Sequence, residues 1–287
     1  MRSEKEMLSL IVDTAVHDSR IRAAYLEGSR TNPNVSKDIF QDYDVGYVVT
    51  ETQSFIENKN WIDRFGERLY MQYPEENTFY PSDVENCYGW LIQFADGNRL
   101  DLHVRTLENA LNNLELYKTL VDKDNLMPKR QMISDKKYWV KKPTAKQFHC
   151  TCNEFWWCLN NVAKGLWRKE IPYVMDMINF QIRPMLRQLL EWKIGIENSF
   201  SVNVGKSAKY MDRYISKETY QQYLRTYSTA QVEAIWDAVF IMCDLFEDIA
   251  AEVSDKLNFS YDSVEARNSK EYLQHVRNLP PDATGVY

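Results

Sequence analysis

The chain is short of the residues that mark disulfide-stapled, zinc-binding and low-complexity proteins. Its 287 residues include only 5 Cys, 4 His, 9 Gly and 9 Pro. No two cysteines stand as CxxC, and the histidines supply no zinc-ligand spacing. The thiol count is odd, with Cys150, Cys152 and Cys158 crowded together, which reads as reduced cysteine in a cytoplasmic protein. Scarce Gly and Pro exclude a loop-rich design. There is no run of about 18 apolar residues, so no membrane span is expected. The opening stretch MRSEKEMLSLIVDTAVHDSR carries charge at both ends of a short apolar core, the pattern of an amphipathic helix and not of a signal peptide. Excess positive charge is missing too. A net charge of −6 argues against nucleic acid as a partner, since such binding wants a basic face. An acidic surface concentrates cations, although the same charge also serves plain solubility.

What is present describes a folded protein: 44% of residues are hydrophobic and 13% aromatic. The length suits one large domain or two ordinary ones. Met7, Leu8, Ile11, Val12, Ala15 and Val16 recur at helical spacing, predicting a helix over about 4–18. IRAAYLEGS reads as a strand ending at Gly28, and residues 31–41 as a loop broken by Pro33. In DYDVGYVVT, Tyr43, Val45, Tyr47 and Val49 alternate as in a strand. Residues 54–73 read as a helix. CYGWLIQFADGNRLDLHVRT reads as a hairpin closed by a tight two-residue turn at Asp96-Gly97. From about 144 to 256 the pattern is helical: a helix capped by Thr144, one from about 171 kinked by Pro184, a short one near 205–215 and a long one near 229–254. The tail from about 265 is polar and expected to be loosely held. A boundary is expected within 125–143, and the fold class is α+β, with a mixed sheet flanked by helices followed by a helical bundle.

The chemistry concentrates on carboxylates. Asp42 and Asp44 lie two apart on the predicted strand and so share a face, while Tyr43 and Val45 turn to the core. Two close carboxylates repel unless a cation sits between them, and Mg²⁺ prefers such oxygens together with phosphate. A solvated strand end would look the same in isolation. Gly28-Ser29-Arg30 closes the preceding strand. A Gly-Ser bend lets backbone N–H groups approach a phosphate, and an Arg fork matches its oxygens, although the tripeptide also serves as an ordinary polar turn. In RLDLHV, Leu100, Leu102 and Val104 share one face, leaving Asp101 and His103 on the other. His103 is read as a strand-face residue without a catalytic part. If this strand neighbours that of Asp42, three acids converge, and no ion pair for any of them is visible in the sequence. Such a trio suits two metals clamping an in-line phosphoryl or nucleotidyl transfer.

This set resembles the DNA polymerase β-like nucleotidyltransferase superfamily. More narrowly it resembles the aminoglycoside 6-adenylyltransferases, through LEGSRTN at 26–32, FQDYDVGYVV at 40–49, DGNRLDLHV at 96–104, YWVKKPT at 138–144, NEFWWCLNNVAKGLWRKE at 153–170 and GKSAKYMDRYIS at 205–216. The resemblance implies a nucleotidyltransferase domain over 1–135 and a helical substrate-binding domain over 136–287 that forms the other wall of a cleft. It implies transfer of AMP from ATP, the co-substrate, to a hydroxyl of streptomycin, with release of pyrophosphate and antibiotic resistance as the outcome. Asp42, Asp44 and Asp101 would hold two Mg²⁺ ions, Asp101 alternatively serving as general base. Gly28, Ser29 and Arg30 would grip the β- and γ-phosphates. Lys206 and Lys209, three apart on a predicted helix, would face the triphosphate or simply a solvated surface. One of Trp156 and Trp157 should pack in the core and the other, Trp157, line the cleft. Glu154, Asp176 and Glu27 are the candidates for the cationic drug. Partners are a small cationic aminoglycoside and ATP, with no nucleic acid and no membrane; a monomer is compatible. Another acceptor, such as a lincosamide or a protein hydroxyl, and a non-catalytic relative of the same fold are the alternatives.

Overall fold

The computed structural model describes residues 1–129 and 134–287; the stretch 130–133, inside the expected boundary region 125–143, lies outside the described residues. The chain divides into two compact units, Met1–Asp135 and Lys136–Tyr287. The first is built on one six-stranded mixed sheet and the second is helical, an α+β fold. All five cysteines are free thiols. Among the described residues no helix is long and apolar enough to cross a membrane.

In the first unit, helix α1 (Glu4–His17) begins with a reciprocal cap between Ser3 and Glu6 and buries Met7, Ile11 and Ala15. Strands β1 (Ile21–Glu27) and β2 (Tyr43–Val49) follow, pairing antiparallel. The stretch read as a helix over 54–73 is three things. Helix α2 covers only Gln53–Glu57, a 3₁₀ turn covers Lys59–Phe65, and β3 occupies Arg68–Gln72. Gly66, at φ 124°, ends the helical turns, and RLYMQ then pairs with β4 as a sheet edge exposing Leu69 and Tyr70. Strands β4 (Cys87–Phe94) and β5 (Arg99–Arg105) form the expected hairpin, but Ala95–Asn98 separate them, a wider connection than two residues. Helix α3 (Leu107–Asn113) and strand β6 (Lys118–Asp122) complete the unit; neither was legible in the sequence.

The sheet order is β3-β4-β5-β2-β1-β6, with β2 and β5 parallel and the other pairs antiparallel. One face carries the larger core. Tyr43, Val45 and Tyr47 of β2, Trp90 and Phe94 of β4 and Leu100, Leu102 and Val104 of β5 bury there against Met7, Ile11, Phe55 and Trp61. The period of two that fills this face necessarily sends Asp44, Asp101 and His103 to the other. That second face has a smaller apolar patch, Ala23, Tyr25, Val48, Ala110, Tyr117 and Met127.

The chain start is strapped across the sheet. Arg2 donates from its backbone N–H and Nε to Asp96 Oδ2 at 2.9 and 2.7 Å, and from Nη1 to the Phe65 carbonyl; its guanidinium covers the Phe94 ring. Arg2→Ala removes the guanidinium donors to Asp96 and to the Phe65 carbonyl while the backbone N–H to Asp96 remains, and losses of this kind typically cost about 1–3 kcal/mol. The expected result is a lower denaturation midpoint with little change in turnover; an unchanged midpoint would show the strap to be dispensable.

In the second unit, α4 (Ala145–Trp167) is capped by Thr144 and Gln147 and buries Phe148, Cys152, Phe155, Leu159 and Val162. Trp156 is in the core and Trp157 is 67% exposed. Helix α5 (Ile171–Asp176) runs through a π-helical turn at Met177–Ile182 into α6 (Arg183–Glu197). The wider turn lies immediately before Pro184, whose ring and missing N–H forbid a regular α-ladder. The helix expected near 205–215 is absent. Two 3₁₀ turns stand there, Lys206–Ala208 and Met211–Arg213, because Ser207 and Ala208 take left-handed φ values of 56° and 57°. Helices α7 (Lys217–Arg225) and α8 (Val232–Leu257) follow. The tail is not loose. Helix α9 (Ser263–Arg277) buries Ala266, Leu273 and Val276 and pins itself to α8 through Lys270 and Arg277. Three buried apolar residues in fifteen were too sparse to be seen against so polar a sequence.

Candidate functional site

Each strand delivers its acid by a simple rule. Asp42 precedes β2 and Asp44 is its second residue; Asp101 is the third residue of β5. Because β2 and β5 run parallel with Asp44 opposite Asp101, the two side chains leave the sheet side by side on the same face. Antiparallel β1 brings Glu27 opposite Asp44 from the other flank. The acids therefore meet across three adjacent strands at one end of the sheet.

The Gly28–Thr31 turn closes over this cluster. Gly28 sits at φ 66°, and a Cβ built there would lie 2.1 Å from Asp44 Oδ2. Only glycine allows the main chain to approach that carboxylate so closely. The Thr31 hydroxyl lies 2.8 Å from the Gly28 carbonyl and 3.0 Å from that of Leu116, tying the turn to the segment before β6. Ser29 is half-buried within it.

Arg30 is placed otherwise than as a free phosphate fork. Its Nε and Nη2 donate to the carbonyls of Asp42 and Gln41 at 2.8 and 2.7 Å, its guanidinium stacks 3.7 Å from the Tyr43 ring centroid, and Nη1 faces Glu4 at 3.6 Å. The side chain is only 9% exposed. It fixes the main chain that carries Asp42.

The electrostatics are those of crowded acids. Burial, followed by the charges of Asp42, Asp101 and Glu27, pushes the Asp44 carboxyl up to about 7, with Arg99 opposing. Glu27 is also raised by burial, against the pull of Arg105, whose Nη1 lies 3.3 Å from Glu27 Oε2 and 3.2 Å from the Tyr25 hydroxyl. Glu27 thus has a partner inside the sheet. His103 is pushed down to about 4 by burial and by Arg105, so it is neutral at pH 7. It lies over Gly89, where an added Cβ would come within 2.4 Å of its ring.

The three aspartates are not without an ion pair, contrary to the sequence reading. Arg99 donates to both Asp101 oxygens, 2.9 Å from Nε and 2.7 Å from Nη2, and its Nε lies 3.4 Å from Asp42 Oδ2. Two residues before Asp101 on one strand, Arg99 had to share its face; that spacing was the available signal. Arg105 and Tyr25, which brace Glu27, gave none. As the side chains stand, no three His, Cys, Asp or Glu among the described residues form a metal-ligand group. The donor types nonetheless suit a hard divalent cation: Asp44 stands opposite Asp101 on the parallel strand, Asp42 lies two residues before Asp44, and Gly28 closes on the Asp44 carboxylate with no room for a Cβ.

In the helical unit, Glu154 and Asp176 are exposed, and Glu154 Oε1 accepts from the Cys158 thiol at 3.2 Å. Lys206 and Lys209 are exposed, Lys206 opening the Lys206–Ala208 turn and Lys209 following it, not on an α-helix.

The family model described as streptomycin adenylyltransferase matches residues 1–276. The aminoglycoside 6-adenylyltransferase of Bacillus subtilis (strain 168) is 40% identical over 265 residues, covering 91% of this chain and 93% of its own. Proteins of the same name from Staphylococcus aureus and Campylobacter jejuni are 34% and 38% identical, over 96% and 91% of this chain and 99% and 91% of theirs. Matches of this extent, over a sheet whose acids converge beneath a glycine turn, make the chain an enzyme of the nucleotidyltransferase kind, and it belongs to the streptomycin adenylyltransferase family.

Proposed function

We propose that this enzyme transfers AMP from ATP to a hydroxyl of streptomycin, releases pyrophosphate and so confers resistance to the drug. The observation that carries the reading is the pairing of Asp44 with Asp101 across parallel strands, with Gly28 pressed against the Asp44 carboxylate. Asp42, Asp44 and Asp101 would hold magnesium, which would supply positive charge to the triphosphate and to the leaving pyrophosphate. Ser29 and the N–H groups of the Gly28–Thr31 turn receive phosphate oxygens. Arg30 acts one step back, holding the Asp42 main chain in place. Burial and the neighbouring acids raise the Asp44 carboxyl, and a bound cation would favour its ionised form. Catalysis is then largely positioning and charge neutralisation.

Recognition of the acceptor falls to the helical unit. The exposed Trp157 offers an aromatic face to guanidinium groups, and Glu154 and Asp176 offer carboxylates. Lys206 and Lys209 are exposed cations of this unit, of a kind that suits nucleotide phosphates.

The test is incubation with ATP, Mg²⁺ and streptomycin, followed by mass spectrometry. A drug heavier by one AMP is the expected product. No such product, or the same gain on a different acceptor from a panel, would remove streptomycin as the substrate. In the same assay Glu154→Gln and Asp176→Asn are expected to raise KM for the drug more than for ATP.

A further inference from the structure

We propose that Arg99 is a built-in counter-ion that occupies the cation position between Asp101 and Asp42 while the enzyme is empty, and that magnesium binds by displacing it. The inference rests on the reading that these aspartates hold magnesium, and adds how the site is kept before the metal arrives.

Three observations converge on it. Both oxygens of Asp101 are engaged by one guanidinium, and the same Nε approaches Asp42 at 3.4 Å. A fork seated on both oxygens of a carboxylate takes one lone pair on each and competes with a metal for the chelating edge of that group. The backbone register places Asp44 opposite Asp101, so the guanidinium on Asp101 sits where the acids of the two strands meet. The hydrogen bonds of Arg99 go to Asp101 and its close approach is to Asp42, so Asp44 keeps its carboxylate free of the fork.

The arrangement also suits release. The Arg99 side chain is 48% exposed whereas that of Asp101 is 15% exposed, so the cation can swing into water while the carboxylate stays. Exposed pairs of this kind are worth little, so a doubly charged ion supported by a nucleotide can outcompete one. Arg99 sits on the same strand and face as Asp101, which holds the departing charge near the site. No bond is made or broken in the exchange; one cation replaces another, and the guanidinium stays protonated throughout.

Competition of this kind lowers apparent metal affinity by the fraction of time the site is free. If Arg99 holds Asp101 nine-tenths of the time, its removal tightens metal binding about tenfold. The experiment uses the full-length protein, its Arg99→Gln, Arg99→Lys and Asp44→Asn variants, and Mn²⁺ as the probe, read by the loss of the free-ion electron paramagnetic resonance signal. Melting temperature is followed in parallel with and without chelator. Arg99→Gln is expected to bind Mn²⁺ about tenfold more tightly than the parent, with Arg99→Lys between them and Asp44→Asn weakest. Arg99→Gln should also melt lower in chelator and recover most of that loss in Mn²⁺. Unchanged or weaker Mn²⁺ binding in a folded Arg99→Gln would overturn the counter-ion role and leave the metal assignment standing. Absence of binding in the parent and in Arg99→Gln alike would overturn both.

Discussion

Asp44→Asn is expected to lose almost all turnover and, at the same time, to melt higher than the parent in metal-free buffer at pH 8. The two effects have one cause. In the folded protein the Asp44 carboxyl is raised from its ordinary 3.8 to about 7 by burial and by the charges around it. The folded state therefore binds this proton more tightly than the unfolded chain does. Stability associated with it is full below pH 4, is lost as pH rises toward 7, and is absent above. A displacement of that size corresponds to a penalty on the order of 4 kcal/mol when the group is ionised. Relaxation and the imperfect fit of an amide reduce the recoverable part to about 2 kcal/mol, a few degrees for a unit of this size. The gain should vanish near pH 4, where parent and variant are both uncharged at this position. Activity moves the other way, because an amide supplies no charge to hold a cation against triphosphate; the expected loss is about 10³-fold or more. A variant with normal turnover would remove Asp44 from the metal site. One with no stability gain at pH 8 would show that the acids do not repel as their placement requires.

Gly28→Ala carries the second large effect. The added methyl would stand 2.1 Å from Asp44 Oδ2 and 2.8 Å from its Cγ, in a backbone conformation with φ at 66°. Left-handed conformation costs a non-glycine residue about 1 kcal/mol or more before any contact is counted. The carboxylate cannot retreat freely, since β1 and β5 flank it with Glu27 and Asp101 opposite. Either the turn lifts away or Asp44 rotates, and both undo the alignment on which transfer depends. Misplacement of about 1 Å at a reacting centre is worth about 10²-fold in rate. The expected outcome is a loss of that order with a modest fall in melting temperature, measured on purified protein at saturating ATP. Near-parental kinetics would show that the close approach of turn and carboxylate has no part in catalysis.

How much of this was written in the sequence varies by element. The alternation of Tyr43, Val45 and Tyr47 with Asp44, and of the leucines with Asp101, was legible because a strand has a strict period of two. Thr144 announced α4 by a cap that needs only three neighbouring residues. The segment 54–73 was misread because helical spacings, Phe55 to Ile62 and Trp61 to Phe65, hide the change at Gly66, after which an edge strand exposes its apolar residues instead of burying them. Helix α9 was missed for the opposite reason: it is held by ion pairs and three buried side chains, with most of its surface polar.

The sequence by itself determined which side chains share a face, where glycine permits a left-handed bend, and the family to which the chain belongs. These are local properties, set by backbone periodicity and by residues a few positions apart. Only the tertiary structure decided that β5 lies parallel to β2 with Asp101 opposite Asp44, that Arg30 is spent on the main chain of Asp42, and that Arg99 takes the place between the acids. Strand register, and with it the reach of Arg99 to Asp42, is settled by packing between segments more than fifty residues apart, as Asp44 and Asp101 are, and short-range pattern holds no information about it.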